Sequence, residues 1–181
     1  MNNAGLRIAF AGFPNAGKTT CALLASRILV PSCIVSVSQP IRDAVDELYK
    51  IGGRQPPSRL GIQDGRMSEQ VRKLLFSIND SVLIDRFSSV VELLGDTPII
   101  NDDCRAALHP SLKEIGFHFV WIERTRFSER PDISIGNRDT AHDLPPDRNL
   151  CCHEIFNDGT LSQLADKVEF IVQKLRDCTE A

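Results

Sequence analysis

The stretch Gly12-Phe13-Pro14-Asn15-Ala16-Gly17-Lys18-Thr19-Thr20 limits the fold more than any other part of the chain. It fits G-x-x-x-x-G-K-[ST], the pattern of a phosphate-binding loop, which has meaning only between a strand and a helix. Both flanks meet that condition. Leu6-Arg7-Ile8-Ala9-Phe10-Ala11 is an apolar run of strand length, and Cys21 to Leu29 reads as a helix with few breakers. Gly12 and Gly17 let the backbone turn tightly and approach a polyphosphate with no Cβ in the way. Successive N–H groups then form an anion nest, helped by the free N–H groups and positive dipole end of the following helix. Lys18 is expected to reach the β- and γ-phosphates of ATP, and Thr19 to place its hydroxyl on Mg²⁺. The expected phosphate-binding set is therefore Gly12, Asn15, Ala16, Gly17, Lys18, Thr19 and Thr20.

Beyond this loop the periodicity alternates. Cys33 to Val37 is a β-branched run that predicts a second strand. Ser38 or Gln39 is positioned to cap a helix with Pro40 in its first turn, and Ile41, Ala44, Val45 and Leu48 keep helical spacing. Ile51 to Gly65 has loop composition, with glycines and prolines. Ser68 is a candidate cap for a helix whose apolar face is Val71, Leu74, Leu75 and Ile78. A further helix is expected over roughly Asp80 to Leu94. Pro98 to Asn101 predicts a short buried strand, Pro110 to Glu114 a short helix, and Phe117 to Ile122 another strand. Arg124 to Arg148 is rich in Arg, Asp and Pro and reads as a lid. His153 to Phe156 is a last strand. Thr160-Leu161-Ser162-Gln163 is a capping box for a closing helix with Leu161, Leu164, Ala165, Val168, Ile171, Val172 and Leu175 on one face.

Alternating strands and helices predict an α/β fold with a mostly parallel five-stranded sheet in three layers, the architecture of phosphate-loop nucleotide hydrolases and kinases. Ligands then sit at the C-terminal ends of the strands. The phosphate loop, Ser38, Asp102 with Asp103, and Arg124 all fall at such ends.

Length and charge restrict the classes further. With 181 residues the chain is expected to form one domain. An acceptor-side segment is expected over about 38–95 and the lid over about 124–148. The net charge is −3 and no basic run occurs, which speaks against a nonspecific nucleic-acid binder. No apolar stretch is long enough to span a bilayer, and no secretory leader is legible, so a cytoplasmic protein with no membrane partner is the expectation. The six cysteines include no C-x-x-C pair and read as reduced, mostly buried thiols. The D-x-x-G and N-K-x-D strings of GTPases are absent.

The candidate chemistry is phosphoryl transfer, which needs charge neutralisation and in-line positioning. Asp103 is the first candidate for holding Mg²⁺ or taking an acceptor hydroxyl's proton, with Asp102 second. Arg42, Arg72 and Arg105 are candidates for an acceptor phosphate, since guanidinium forks match phosphate. Arg124, Arg126 and Arg130 are candidates for closing over the phosphates. The four histidines show no pairing in sequence.

Four stretches carry a resemblance to a family. They are the phosphate loop, Ile99-Ile100-Asn101-Asp102-Asp103-Cys104-Arg105, Ile115-Gly116-Phe117 before Val120 to Arg124, and Phe156-Asn157-Asp158-Gly159-Thr160-Leu161. Together they resemble the nucleoside monophosphate kinases, above all those of bacteriophages that act on deoxynucleoside monophosphates, with dephospho-coenzyme A kinases as cousins. The resemblance implies an ATP- and Mg²⁺-dependent kinase acting in the host cytoplasm, and it places Asn157 beside the adenine. It implies a deoxynucleoside monophosphate as first acceptor. Related phage kinases phosphorylate the hydroxymethyl group of 5-hydroxymethyluracil in DNA, so DNA stays open as a substrate, as does another small-molecule acceptor. A nucleotide-binding regulator without transfer chemistry is the third reading. The chain departs from the family's pattern on the acceptor side: Ala106-Ala107-Leu108-His109 follows Arg105 where Phe-Pro-Asn-Glu is common.

Overall fold

A computed structural model describes residues 5–56, 64–79, 81–125 and 145–179. Each β-branched or apolar run foreseen as a strand enters one sheet. The strands are β1 (Arg7–Ala11), β2 (Cys33–Ile34), β3 (Ile99–Asn101), β4 (His118–Glu123) and β5 (His153–Phe156), in the order β2-β3-β1-β4-β5. Every pairing is parallel, with Ile8 opposite both Ile100 and His118, and Val120 opposite His153. The mostly parallel five-stranded sheet that the alternation predicts is thus present and wholly parallel. The first strand lies in the middle, so the chain passes to one side of it through β3 and to the other through β4. Such a reversal of direction opens a crevice at the strands' C-terminal ends.

The helices are α1 (Lys18–Ile28), α2 (Gln39–Ile51), α3 (Gly65–Ile78), α4 (Val82–Leu94), α5 (His109–Glu114) and α6 (Leu161–Thr179). One face of the sheet packs on α1 and α6. Ile8, Phe10, Ile100, Val120, Ile122 and Ile155 meet Cys21, Ala22 and Ala25 of α1 and Leu164, Val168, Val172 and Leu175 of α6, all buried. At roughly 1.5–3 kcal/mol for each large apolar side chain removed from water, this layer supplies much of the drive for folding. The capping box at the start of α6 forms as expected: the Thr160 amide donates to Gln163 Oε1 at 2.8 Å and the Gln163 amide to Thr160 Oγ1 at 3.3 Å.

The chain divides into two compact units, Met1–Val35 with Val91–Ala181, and Ser36–Val90. The first holds the sheet, α1, α5 and α6. The second is helical and falls within the segment assigned to the acceptor, apart from its first two residues. Inside it, α2 and α3 are tied by Asp64, which accepts from the Met67 amide at 3.0 Å and from the Tyr49 hydroxyl at 2.6 Å.

Several sequence expectations are corrected. The second strand covers Cys33–Ile34 alone, because Val37 and Ser38 already turn into α2. Ser38 precedes α2 but makes no side-chain cap. Asp64, not Ser68, caps α3, since a carboxylate three residues before a free amide is an equally good acceptor. Leu161 opens α6 at the surface, and Leu48, Leu74 and Ile78 are exposed on faces whose spacing predicted burial. The stretch after Ile51 foreseen as loop includes 57–63, outside the described residues, as are Asp80 and 126–144 of the expected lid.

Candidate active site

The phosphate loop joins the central strand to α1, and its shape is set by contacts that leave no room for other residues. Gly12 leaves β1 with φ +141°, and a Cβ there would strike the carbonyl oxygen of Ile122 on β4. Gly17 has φ +106°, and a Cβ would strike the side-chain amide nitrogen of Asn157. Asn15 takes φ 65°, a left-handed conformation that asparagine tolerates better than most residues. The Ala16 amide closes the loop on the Phe13 carbonyl at 3.2 Å.

Lys18 is the first residue of α1 and its ammonium lies back over the loop, donating to the carbonyls of Gly12 at 3.0 Å and Phe13 at 2.9 Å. Burial holds its pKa below the ordinary lysine value. The Arg105 guanidinium adds to this, while Asp103 and Asp102 oppose it. The lysine thus rests on the loop carbonyls among charges of both signs.

The acids come from the end of β3. Asn101 is fully buried; its amide donates to the Val35 carbonyl at 2.9 Å and its Oδ1 accepts from the Asp103 amide at 3.1 Å. This fixes the turn in which Asp102 and Asp103, both buried, diverge. Thr19 donates its hydroxyl to Asp102 Oδ2 at 3.0 Å, whereas Asp103 Oδ1 accepts from Arg105 Nε at 2.7 Å. The sequence pairs Asp103 with Thr19 as metal candidates; in the structure Thr19 bonds Asp102 and Asp103 bonds Arg105, so both acids stay candidates. The Asp103-x-Arg105 spacing closes an ion pair on itself. One hydroxyl and one carboxylate form an all-oxygen pair, which suits a magnesium ion that keeps most of its shell as water and phosphate.

The other two strand ends complete the rim. Trp121 donates its indole N–H to Glu123 at 2.9 Å and packs edge-on against Phe13 with ring centroids 5.8 Å apart. Phe13 itself is 52% exposed. Arg148, the last residue of the expected lid, makes a two-pronged pair with Glu154 and stands 5.6 Å over the Phe156 ring. Arg124 follows β4 at the surface, and its neighbour Thr125 donates its amide to Asp158 at 2.9 Å. Asn157 donates its backbone N–H to the Glu123 carbonyl at 2.7 Å and its side-chain amide to the Ala16 carbonyl at 2.8 Å.

The structure thus brings Lys18, Thr19, Asp102, Asp103, Arg105 and Asn157 together. Arg42 and Arg72 belong to the helical unit. Arg72 pairs with Glu69 at 3.3 Å, and the Arg42 Nε is buried with no hydrogen-bond partner among the described residues. Arg126 and Arg130 lie outside those residues. The sequence reading missed Asp158, Glu123 and Trp121. Asp158 stands in a motif that was singled out, but only its Asn157 carried a role. His109 is buried against Phe119, with centroids 4.2 Å apart, and its pKa is lowered by burial and by Lys113. Cys21 and Cys104 are buried, but Cys152 and Cys178 are exposed, so the thiols are less uniformly interior than expected. Burial pushes the Cys21 thiol up to about 12.

Neither a family model nor a curated protein sequence matches the chain. Solved structures do. A gluconokinase from Sinorhizobium meliloti 1021 superposes with a TM-score of 0.50 at 12% identity, over 98% of this chain and 97% of that one. The APS kinase of Mycobacterium tuberculosis, in complex with AMPPNP and APS, gives a TM-score of 0.54 at 13% identity, over 94% of this chain and 98% of that one. The fold is that of the P-loop kinases. No helix among the described residues is long and apolar enough to cross a membrane.

Proposed function

We propose that this chain is an ATP-dependent kinase that transfers the γ-phosphate to a nucleotide acceptor, a deoxynucleoside monophosphate first of all. The observation that carries the reading is the convergence of Lys18 over the phosphate loop with the Thr19–Asp102 pair at 3.0 Å. A neighbour of the same fold, the APS kinase, holds AMPPNP, which supports ATP as donor.

In the proposed reaction the bond between the γ-phosphorus and its bridging oxygen breaks, the electron pair leaves with ADP, and an acceptor oxygen forms the new bond. Lys18 offsets negative charge on the β- and γ-oxygens, and the loop's amides hold them in line. Thr19 and Asp102 are the residues to hold Mg²⁺, which when bound neutralises phosphate charge. Arg105 is a candidate for the acceptor's phosphate, with Arg42 and Arg72 from the helical unit. Arg124 is a candidate to approach the transferred group. A monophosphate acceptor attacks through a phosphate oxygen that carries no proton, whereas a hydroxymethyl acceptor must lose one, and Asp103 is the base proposed for that case.

One observation favours the second acceptor. The half-exposed Phe13 ring belongs to the phosphate loop itself, and its carbonyl receives Lys18. An aromatic face there suits stacking of a base whose hydroxymethyl group must reach the γ-phosphate, as in DNA containing 5-hydroxymethyluracil.

Transfer from labelled ATP decides between them. A deoxynucleoside monophosphate is expected to be labelled at a rate that changes little from low to moderate salt, because a single small anion is involved. Labelling of hydroxymethylated DNA alone, falling steeply with salt as released counterions require, replaces that acceptor with the DNA base. Tight ATP binding with no transfer to either acceptor leaves another small-molecule acceptor or the regulator reading.

A further inference from the structure

We propose that Asn157 is a positioning residue that sets the orientation of the Ala16–Gly17 peptide, and through it the phosphate nest. This rests on the ATP site argued above. Three observations meet at this residue. Its side-chain amide donates to the Ala16 carbonyl at 2.8 Å across a sequence separation of 141 residues. Its nitrogen occupies the space a Gly17 side chain would need. Its own backbone is anchored, since its N–H donates to the Glu123 carbonyl at 2.7 Å.

The consequence follows from peptide geometry. In a trans peptide the C=O and the next N–H point in opposite directions. Holding the Ala16 carbonyl outward on Asn157 therefore aims the Gly17 N–H the other way, into the concave side of the loop where anion-binding amides converge. Gly17 sits at φ +106° with no side chain, so this peptide has a low barrier to rotation and needs an external hold. A flipped peptide would present a carbonyl oxygen to the phosphates and repel them. Asn157 thus acts on the phosphates through Ala16 and Gly17. The family resemblance, by contrast, places this turn against the adenine.

Asn157→Asp tests this, because the side chain keeps its shape but an ionised carboxylate cannot donate to the Ala16 carbonyl. Equilibrium binding of AMPPNP and of inorganic tripolyphosphate is measured for wild type and variant. Both ligands are expected to lose affinity by the same factor, about tenfold or more, from one hydrogen bond replaced by a repulsive contact. The Gly17 amide resonance of the ligand-free protein is expected to shift at the same time. Loss confined to AMPPNP means that Asn157 reads the adenine and overturns the proposal, as does unchanged affinity for both. If Asn157→Asp fails to fold, Asn157→Ala is read in the same way. Failure of the wild type to bind either ligand strikes the ATP reading instead, while the Gly17 resonance still reports on the peptide: a shift supports the positioning role and no shift overturns it.

Discussion

The sheet unit and the helical unit obey the same local rules to different ends. In the sheet unit, the apolar face of α6 is buried from Leu164 to Leu175, and the polar groups at the strand ends find one another: Asn101 with Val35 and Asp103, Thr19 with Asp102, Asn157 with Ala16. In the helical unit, α2 and α3 have equally regular apolar spacing and bury Ile41, Val45 and Val71, yet Leu48, Ile51, Leu74 and Ile78 are exposed. Periodicity specifies that a helix has an apolar side. It does not specify what covers that side. A phosphate site is built from backbone amides and a few invariant geometric needs, whereas recognition of an acceptor rests on side chains that vary with the acceptor.

This contrast predicts that substitutions in the sheet unit abolish chemistry, while those in the helical unit change affinity for one substrate. The largest effect is expected at Lys18. Lys18→Ala should lower kcat by about 10²-fold or more, the scale on which a single charge-stabilising group acts. Next come the acids. Asp102→Asn should raise the Mg²⁺ concentration needed for half-maximal rate by about tenfold, and more than Asp103→Asn does. The reverse ranking, in a magnesium titration of both variants, would return the metal role to Asp103. On the same scale, Arg42→Ala and Arg72→Ala should each raise the acceptor's KM by about tenfold, the worth of one charged hydrogen bond, and leave the KM of ATP unchanged. A rise in the KM of ATP would break the division between the two units.

The smallest expected effect concerns stability. His109 has its pKa lowered in the folded protein by burial, so folding favours the neutral ring. Its contribution is fully present above the ordinary histidine value near 6.5 and is lost as pH falls from there through the folded value. Thermal unfolding of the wild type is expected to become easier on acidification over that range. In His109→Gln the pH dependence should be shallower, although His153, lowered in the same direction, keeps part of it.

Much of this was legible in the sequence. The phosphate loop carries its own context, because glycine spacing, a preceding strand and a following helix are all local. The five strands and the capping box of α6 were legible for the same reason. The partners of Asp102 and Asp103 were not. Which of two adjacent carboxylates meets Thr19 is decided only when the end of β3 lies beside the start of α1, a contact across 83 residues. The roles of Asp158 and Glu123 were hidden likewise, since Thr125 and Asn157 reach them only once β4 and β5 are side by side. The exposed side of α2 and α3 was unreadable because spacing is silent about partners.

Phosphoryl transfer by the loop from Gly12 to Thr20 is tested most directly by transfer of label from ATP. Protein is mixed with γ-labelled ATP, Mg²⁺, the deoxynucleoside monophosphates and hydroxymethylated DNA, and the labelled products are followed for wild type and Lys18→Ala. Label is expected on an acceptor with the wild type, with a loss of about 10²-fold or more in Lys18→Ala at unchanged folding. Equal transfer by a folded Lys18→Ala protein would contradict it.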